Sequence, residues 1–323
     1  MPDIADRLSG ANLPPAPPNI SNGDRQFLTD LWTELRLRPR TADVNAEVLT
    51  LVDTRFRASD VKNAHATPQV YLATLQNLVR GPGAQWNLSM QSQSAVGTWV
   101  AGACTSGHDY LVCKPWTGAV VWRVYVNTTA DHAPAVFGAL CTGIVNGNIP
   151  AFGKLGSFDI VRTGRDAVVA YAGSVAARDT IVALLQAYVH NNPGHVVNEI
   201  VRFTVQRAPG VSVAGDPTAM MQAWMTAANA WLGEETYRSN IADWEAQHGR
   251  SVGPDEGPYH LSFSELVTTV IARAWRVTPA DGNFLSAVAV AFGDIGLDLA
   301  TGALAPPTEI GVAWLQDRFF PEF

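Results

Sequence analysis

Residues 119–173 read AVVWRVYVNTTADHAPAVFGALCTGIVNGNIPAFGKLGSFDIVRTGRDAVVAYAG. Two hydrophobic periods follow one another within them. VVWRVYVN (120–127) is rich in β-branched and aromatic residues and alternates with period two, as a strand does. Pro134 to about Val145 has helical spacing and is closed by Asn146-Gly147-Asn148. AFGKLGSFDIVR (151–162) and AVVAYAG (167–173) then predict a pair of strands.

Outward from this stretch the texture holds for about a third of the chain. Upstream, WNLSMQS (86–92), GTWVAGAC (97–104) and YLVCK (110–114) predict strands, with turns at Thr105-Ser106-Gly107 and at 115–118. Downstream, Ile181, Leu184, Leu185 and Val189 mark a helix ended by Asn191-Asn192-Pro193-Gly194, and IVRFTVQ (200–206) predicts a strand. Residues 1–22 form a proline-rich arm. Residues 23–81 read as a helical N-terminal subdomain. Its apolar positions are Phe27, Leu28, Leu31, Trp32 and Leu35, then Val44, Val48, Leu49 and Val52, then Val70, Leu72, Leu75 and Leu78. From Pro217 onward the pattern is helical, with Met220, Met221, Trp224, Met225, Trp231, Ile241 and Trp244 at roughly helical spacing. The expected class is α+β: a mainly antiparallel sheet flanked by helices, with a helical N-terminal subdomain and a helical C-terminal third. Residues 84–323 would form the α+β domain.

Composition narrows the partners. A net charge of −7 argues against nucleic acid as the main ligand. No apolar run is long enough for a membrane span, and the N-terminus lacks a signal-peptide pattern, so a cytoplasmic location is expected. Cys104, Cys113 and Cys141 have neither a CxxC pair nor zinc-ligand spacing, and read as buried free thiols. Only three lysines occur, Lys62, Lys114 and Lys154, which limits any step that needs an amine.

Arg123-Val124-Tyr125-Val126-Asn127, then Phe152-Gly153-Lys154, then Arg165-Asp166-Ala167-Val168-Val169-Ala170-Tyr171 occur in an order and spacing that resemble the HopA-like family of type III effectors. The resemblance covers about residues 119–217 and returns at 260–275 and 284–306. Bacterial relatives in that family include the lyase component of class V lanthipeptide and thioamitide pathways. The resemblance implies a phospho-Ser/Thr lyase. A kinase-like partner would phosphorylate a precursor peptide, and this chain would remove the phosphate by β-elimination, leaving a dehydroamino acid. No metal or cofactor is implied.

Such chemistry needs a base for the Cα proton, cations on the phosphate and an acid for the leaving oxygen. Lys154, at the family's lysine position, is the first choice of base; its alternative is a strand-edge lysine with its head in water. Lys114, before Pro115, is the second choice, or a surface lysine. Alternation places Arg123 with Val121 and Tyr125 on one strand face. There it holds phosphate or pairs with Asp166 or Asp159. Arg162 and Arg165 compete for one family arginine, since the chain reads Arg-Thr-Gly-Arg-Asp. His108, in a turn beside the strand ending at Lys114, is the candidate acid or a solvated loop histidine. Asp166, Tyr125 and Tyr171 are the candidate orienting groups. His132, His190 and His195 read as helix-end or surface residues, and His260 as a further option for the acid.

Two family features are missing. The family's Phe-Thr-Lys is Phe203-Thr204-Val205 here, and a Glu-Ser-Phe-Gly-x-His-Arg helix start is Leu261-Ser262-Phe263-Ser264-Glu265-Leu266-Val267. The alternative reading is therefore a non-catalytic relative that binds a precursor peptide or partner enzymes by adding a strand to an exposed sheet edge, and an oligomer is a further expectation.

Overall fold

The structure, a computed structural model, describes residues 4, 8, 20–59, 67–91, 94–107, 109–220, 233–249, 261–307 and 309–314. His108, His260, Lys62, the run Met221 to Trp231 and most of the proline-rich arm lie outside them. The chain folds as two compact units. One comprises residues 1–56 with 215–323, the other residues 57–214.

The first unit is helical. Its N-terminal part holds α1 (Asn22–Leu35) and most of α2 (Ala42–Arg57). Ser21 caps α1 by accepting a hydrogen bond from the Asp24 amide, and Phe27, Leu28, Leu31 and Leu35 face inward. The side chains of Val48, Val52 and Phe56 do the same on α2. Trp32 stacks on Phe284 at 4.9 Å, and the Trp275 indole N–H donates to the Leu35 carbonyl at 2.8 Å. A Ser262/Glu265 capping box starts the helix Phe263–Val277, as the serine, the glutamate three residues later and the apolar run after them require.

The second unit carries the sheet. Helix α3 (Pro68–Arg80), with Thr67 as its cap, precedes β1 (Leu88–Met90), α4 (Val96–Val100) and β2 (Tyr110–Cys113). Then follow β3 (Trp122–Val126), α5 (Ala133–Asn146), β4 (Ala151–Gly156), α6 (Phe158–Thr163), β5 (Val168–Ala172), α7 (Val175–Asn191), β6 (Val205–Ala208) and β7 (Val211–Gly215). The seven strands lie in the order β1-β2-β4-β5-β3-β7-β6 and are antiparallel. The expected α+β class is the observed one. One face of the sheet presents Leu111, Cys113, Val124, Leu155, Val168 and Ala170, all fully buried. Gly153 belongs to that face, and a methyl group on it would stand 3.3 Å from Leu140 and 3.4 Å from Phe137 of α5. The glycine thus lets a helix lie close on the strand. All three cysteines are free and buried. No helix among the described residues is long and apolar enough to cross a membrane.

Three expected strands take other forms. Residues 97–104 are the helix α4 and a 3-10 turn (Ala103–Thr105), not a strand. β2 already pairs with β1 on one side and β4 on the other, leaving no place for them in the ladder. The expected strand 151–162 ends at Gly156. Ser157 turns the chain by donating its hydroxyl to the Gly107 carbonyl, and Phe158, Ile160 and Val161 are buried from a short helix. The expected strand 200–206 starts only at Val205, because Phe203 takes a left-handed conformation (φ +57°) in the preceding turn.

Candidate functional site

The second face of the sheet gathers most of the residues that the sequence singles out. Its order follows from strand register. Val112 lies opposite Lys154, Lys154 opposite Val169, and Val169 opposite Tyr125. In the next row Phe152 lies opposite Tyr171, and Tyr171 opposite Arg123. Lys114 continues this row, with its ammonium 5.1 Å from the Phe152 ring centre. Tyr110, opposite Gly156, occupies the same face on β2. Alternate residues of a strand share a face, so two lysines, one arginine, three tyrosines and a phenylalanine converge on this side.

The cations are laid on the rings. Phe152 and Tyr171 stack at 4.5 Å with 6° between their planes. The Arg123 guanidinium stands 5.0 Å from the Tyr171 centre on one side of that stack. The Lys154 ammonium is 4.8 Å from Tyr171 and 5.7 Å from Tyr110, and donates to the Gln91 side-chain oxygen at 3.1 Å. Each such contact is worth about 0.5–2 kcal/mol, the larger values where water is excluded. Water is largely excluded here: Arg123 is only 7% exposed and Tyr125 5%, while Lys154 and Lys114 keep partial access. Tyr110 feels the charges of Asp166, Arg57 and Arg123. Burial first, then Asp166 and Tyr171, push its phenol well above the ordinary value, so it stays protonated.

The other expected residues sit elsewhere. Arg165 is 2% exposed and bound to the Glu199 carboxylate by Nε at 2.8 Å and by a second nitrogen at 2.6 Å. Ser59 donates to the other oxygen of Glu199, and the Arg165 amide donates to the Arg57 carbonyl. The pair therefore ties together residues 57–59, 163–165 and 199. Arg162 lies on the exposed side of α6, 3.7 Å from Asp159. Asp166 follows Arg165 and bears on the site through its charge on Tyr110. His108, in the turn before β2, is outside the described residues. Among the described residues no cluster of three His, Cys, Asp or Glu side chains is placed to hold a metal.

Sequence reasoning passed over Tyr110, Phe152, Gln91 and Arg57. Tyr110 and Lys114 share the alternation of YLVCK, a signal that was present. Phe152, two residues before Lys154 on one strand, shares its face by the same alternation, whereas Arg57, at the end of a helix far along the chain, left no local trace.

The sequence pattern of the HopA1 effector protein family matches residues 112–226. No curated protein sequence matches the chain. Among solved structures, the effector protein from Pseudomonas syringae pv. tomato strain DC3000 is similar at a TM-score of 0.55 and 14% identity, over 88% of this chain and 98% of that one. The effector protein from Pseudomonas syringae pv. syringae strain 61 gives 0.49 and 14%, over 83% and 100%. Over residues 112–226, which hold most of the sheet and its cationic face, the chain is HopA1-like.

Proposed function

We propose that the cationic face binds the phosphate of a phosphoserine or phosphothreonine in a precursor peptide and removes it by β-elimination. The observation that carries this reading is the convergence of Lys154, Lys114 and Arg123 on one aromatic sheet face whose arginine and tyrosines are largely buried. Phosphate monoesters are dianions near neutral pH, and cations in a low-dielectric setting hold them strongly. Arg123 grips the phosphate beside Tyr171, with Tyr125 and Tyr171 orienting it, and Lys114 adds positive charge from the other side of the Phe152–Tyr171 stack. Lys154 stands in the row of Tyr125, next to the row of the two cations, and its neutral amine form takes the Cα proton as base. The electron pair of the Cα–H bond becomes the Cα=Cβ bond, and the Cβ–O bond breaks to release phosphate. Arg165 supports the site by holding the chain around Arg57 and Asp166 rather than by touching substrate. The peptide would reach the site already phosphorylated by a kinase-like partner.

The test is turnover of synthetic phosphoserine peptides with phosphate release as the readout. Arg123→Gln removes a charge-assisted contact worth about 1.5–3 kcal/mol, so KM should rise about tenfold to a hundredfold. Unchanged KM would remove Arg123 from the site. The second reading, a non-catalytic peptide binder, is favoured by the absence of the lysine found in relatives after Phe203-Thr204. It predicts retention of phosphopeptide without any release.

A further inference from the structure

The elimination needs a proton for the leaving oxygen, and the cationic face holds a donor that its cations do not supply. Resting on the lyase reading above, we propose that Tyr110 is that donor, and that base and acid act on the same side of the substrate.

Tyr110 and Lys154 project from neighbouring antiparallel strands onto one face. Tyr110 pairs with Gly156, two residues beyond Lys154 on β4, so no side chain separates the ring from the lysine. The Lys154 ammonium reaches over that ring at 5.7 Å. Arg57 and Arg123 lie within electrostatic range of the phenol, and Asp166 opposes them. Burial keeps the phenol protonated, as a donor must be before the reaction. The two cations favour the phenolate that forms once the proton has left.

The step balances without an outside reactant. The neutral amine of Lys154 takes the Cα proton, becoming the ammonium, as the Cα=Cβ bond forms and the Cβ–O bond breaks. The Tyr110 hydroxyl passes its proton to the bridging oxygen, and hydrogen phosphate leaves. The ammonium on Lys154, beside the ring, then returns a proton to the phenolate. Both groups rise from the same sheet face, so a substrate lying over that face loses its Cα–H and Cβ–O bonds from one side. From L-phosphothreonine, such a syn elimination gives the E dehydrobutyrine, whereas an anti elimination gives Z.

Two measurements test this. The first determines the alkene geometry of the product of wild-type protein on a phosphothreonine peptide by NMR. The E isomer is expected, and the Z isomer overturns the same-side arrangement. The second compares a phosphoserine peptide with a peptide carrying β-chloroalanine at the same position, whose chloride leaves without a proton. Tyr110→Phe, which keeps the ring, should slow phosphate elimination by about 10²–10⁴-fold. Chloride elimination should slow by less than about tenfold. Equal slowing on both substrates overturns the acid role. Lys154→Ala should lose both reactions. Wild-type protein inert on phosphopeptides would defeat the lyase reading itself, whereas full activity of Tyr110→Phe would defeat only the role of Tyr110.

Discussion

Removing the Arg165 guanidinium strands the Glu199 carboxylate in a site where the arginine is 2% exposed. Losing one partner of a buried pair is costly because the remaining charge keeps its desolvation penalty. Arg165→Ala should lower stability by about 3 kcal/mol in chemical denaturation. Arg165→Met with Glu199→Leu should recover much of that loss. A loss well under 1 kcal/mol in the single variant would show that the pair does not tie the three segments together. In sequence, Arg162 and Arg165 were equivalent readings of one family arginine. Only the partner Glu199, 34 residues away, separates them, and no local pattern could reveal it. Lys154, Arg123, Tyr125 and Tyr171 were legible because strand alternation places each on a definite face. Tyr110 was equally legible by that rule.

At the scale of elements, turns decide what alternation cannot. Pro209-Gly210 reverses the chain between β6 and β7, with Gly210 at φ +66° and its carbonyl accepting from the Asn127 amide. A methyl group there would meet the Val197 carbonyl oxygen at 2.5 Å, a backbone atom that cannot swing away. Gly210→Ala should therefore cost about 1–3 kcal/mol, read as a lower Tm. A neutral effect would contradict this turn geometry. The Pro-Gly pair was visible in the sequence, but the strand before it was extended too far because nothing local announces the left-handed Phe203.

A second element-scale feature joins the start of α5 to the end of α7. His132 and His195 stack at 4.0 Å, and the Tyr188 hydroxyl meets His195 Nδ1 at 2.7 Å. Burial, then the neighbouring His132, lower the pKa of His195. A histidine whose folded pKa lies below its unfolded value binds fewer protons in the folded state. Stability is then full above the unfolded value of about 6.5 and falls as pH drops below it. The wild-type protein should lose Tm between about pH 7 and pH 5, and His195→Gln should flatten that slope. An unchanged slope in the variant would assign the pH dependence to other groups.

At the scale of the molecule, the class was readable because strand and helix periods alternate cleanly between residues 110 and 191. The assignment of chain to unit was not. Helix α3 contributes Tyr71, whose hydroxyl donates to the Gly156 carbonyl, so it belongs with the sheet, while residues 1–56 group with the C-terminal helices. Both affiliations depend on contacts distant in sequence, which periodicity does not encode. At 14% identity the likeness to a solved structure is one of fold alone. What such a fold does must then be read from its site. Here the candidate site is a cationic, aromatic face with a lysine near its centre.

The most direct measurement is mass spectrometry of a phosphoserine peptide incubated with the wild-type chain and with Lys154→Ala. The account predicts loss of the elements of phosphoric acid and formation of a dehydroalanine with the wild-type protein, and no conversion with the variant. Intact phosphopeptide in both samples, or equal conversion by both, would contradict it.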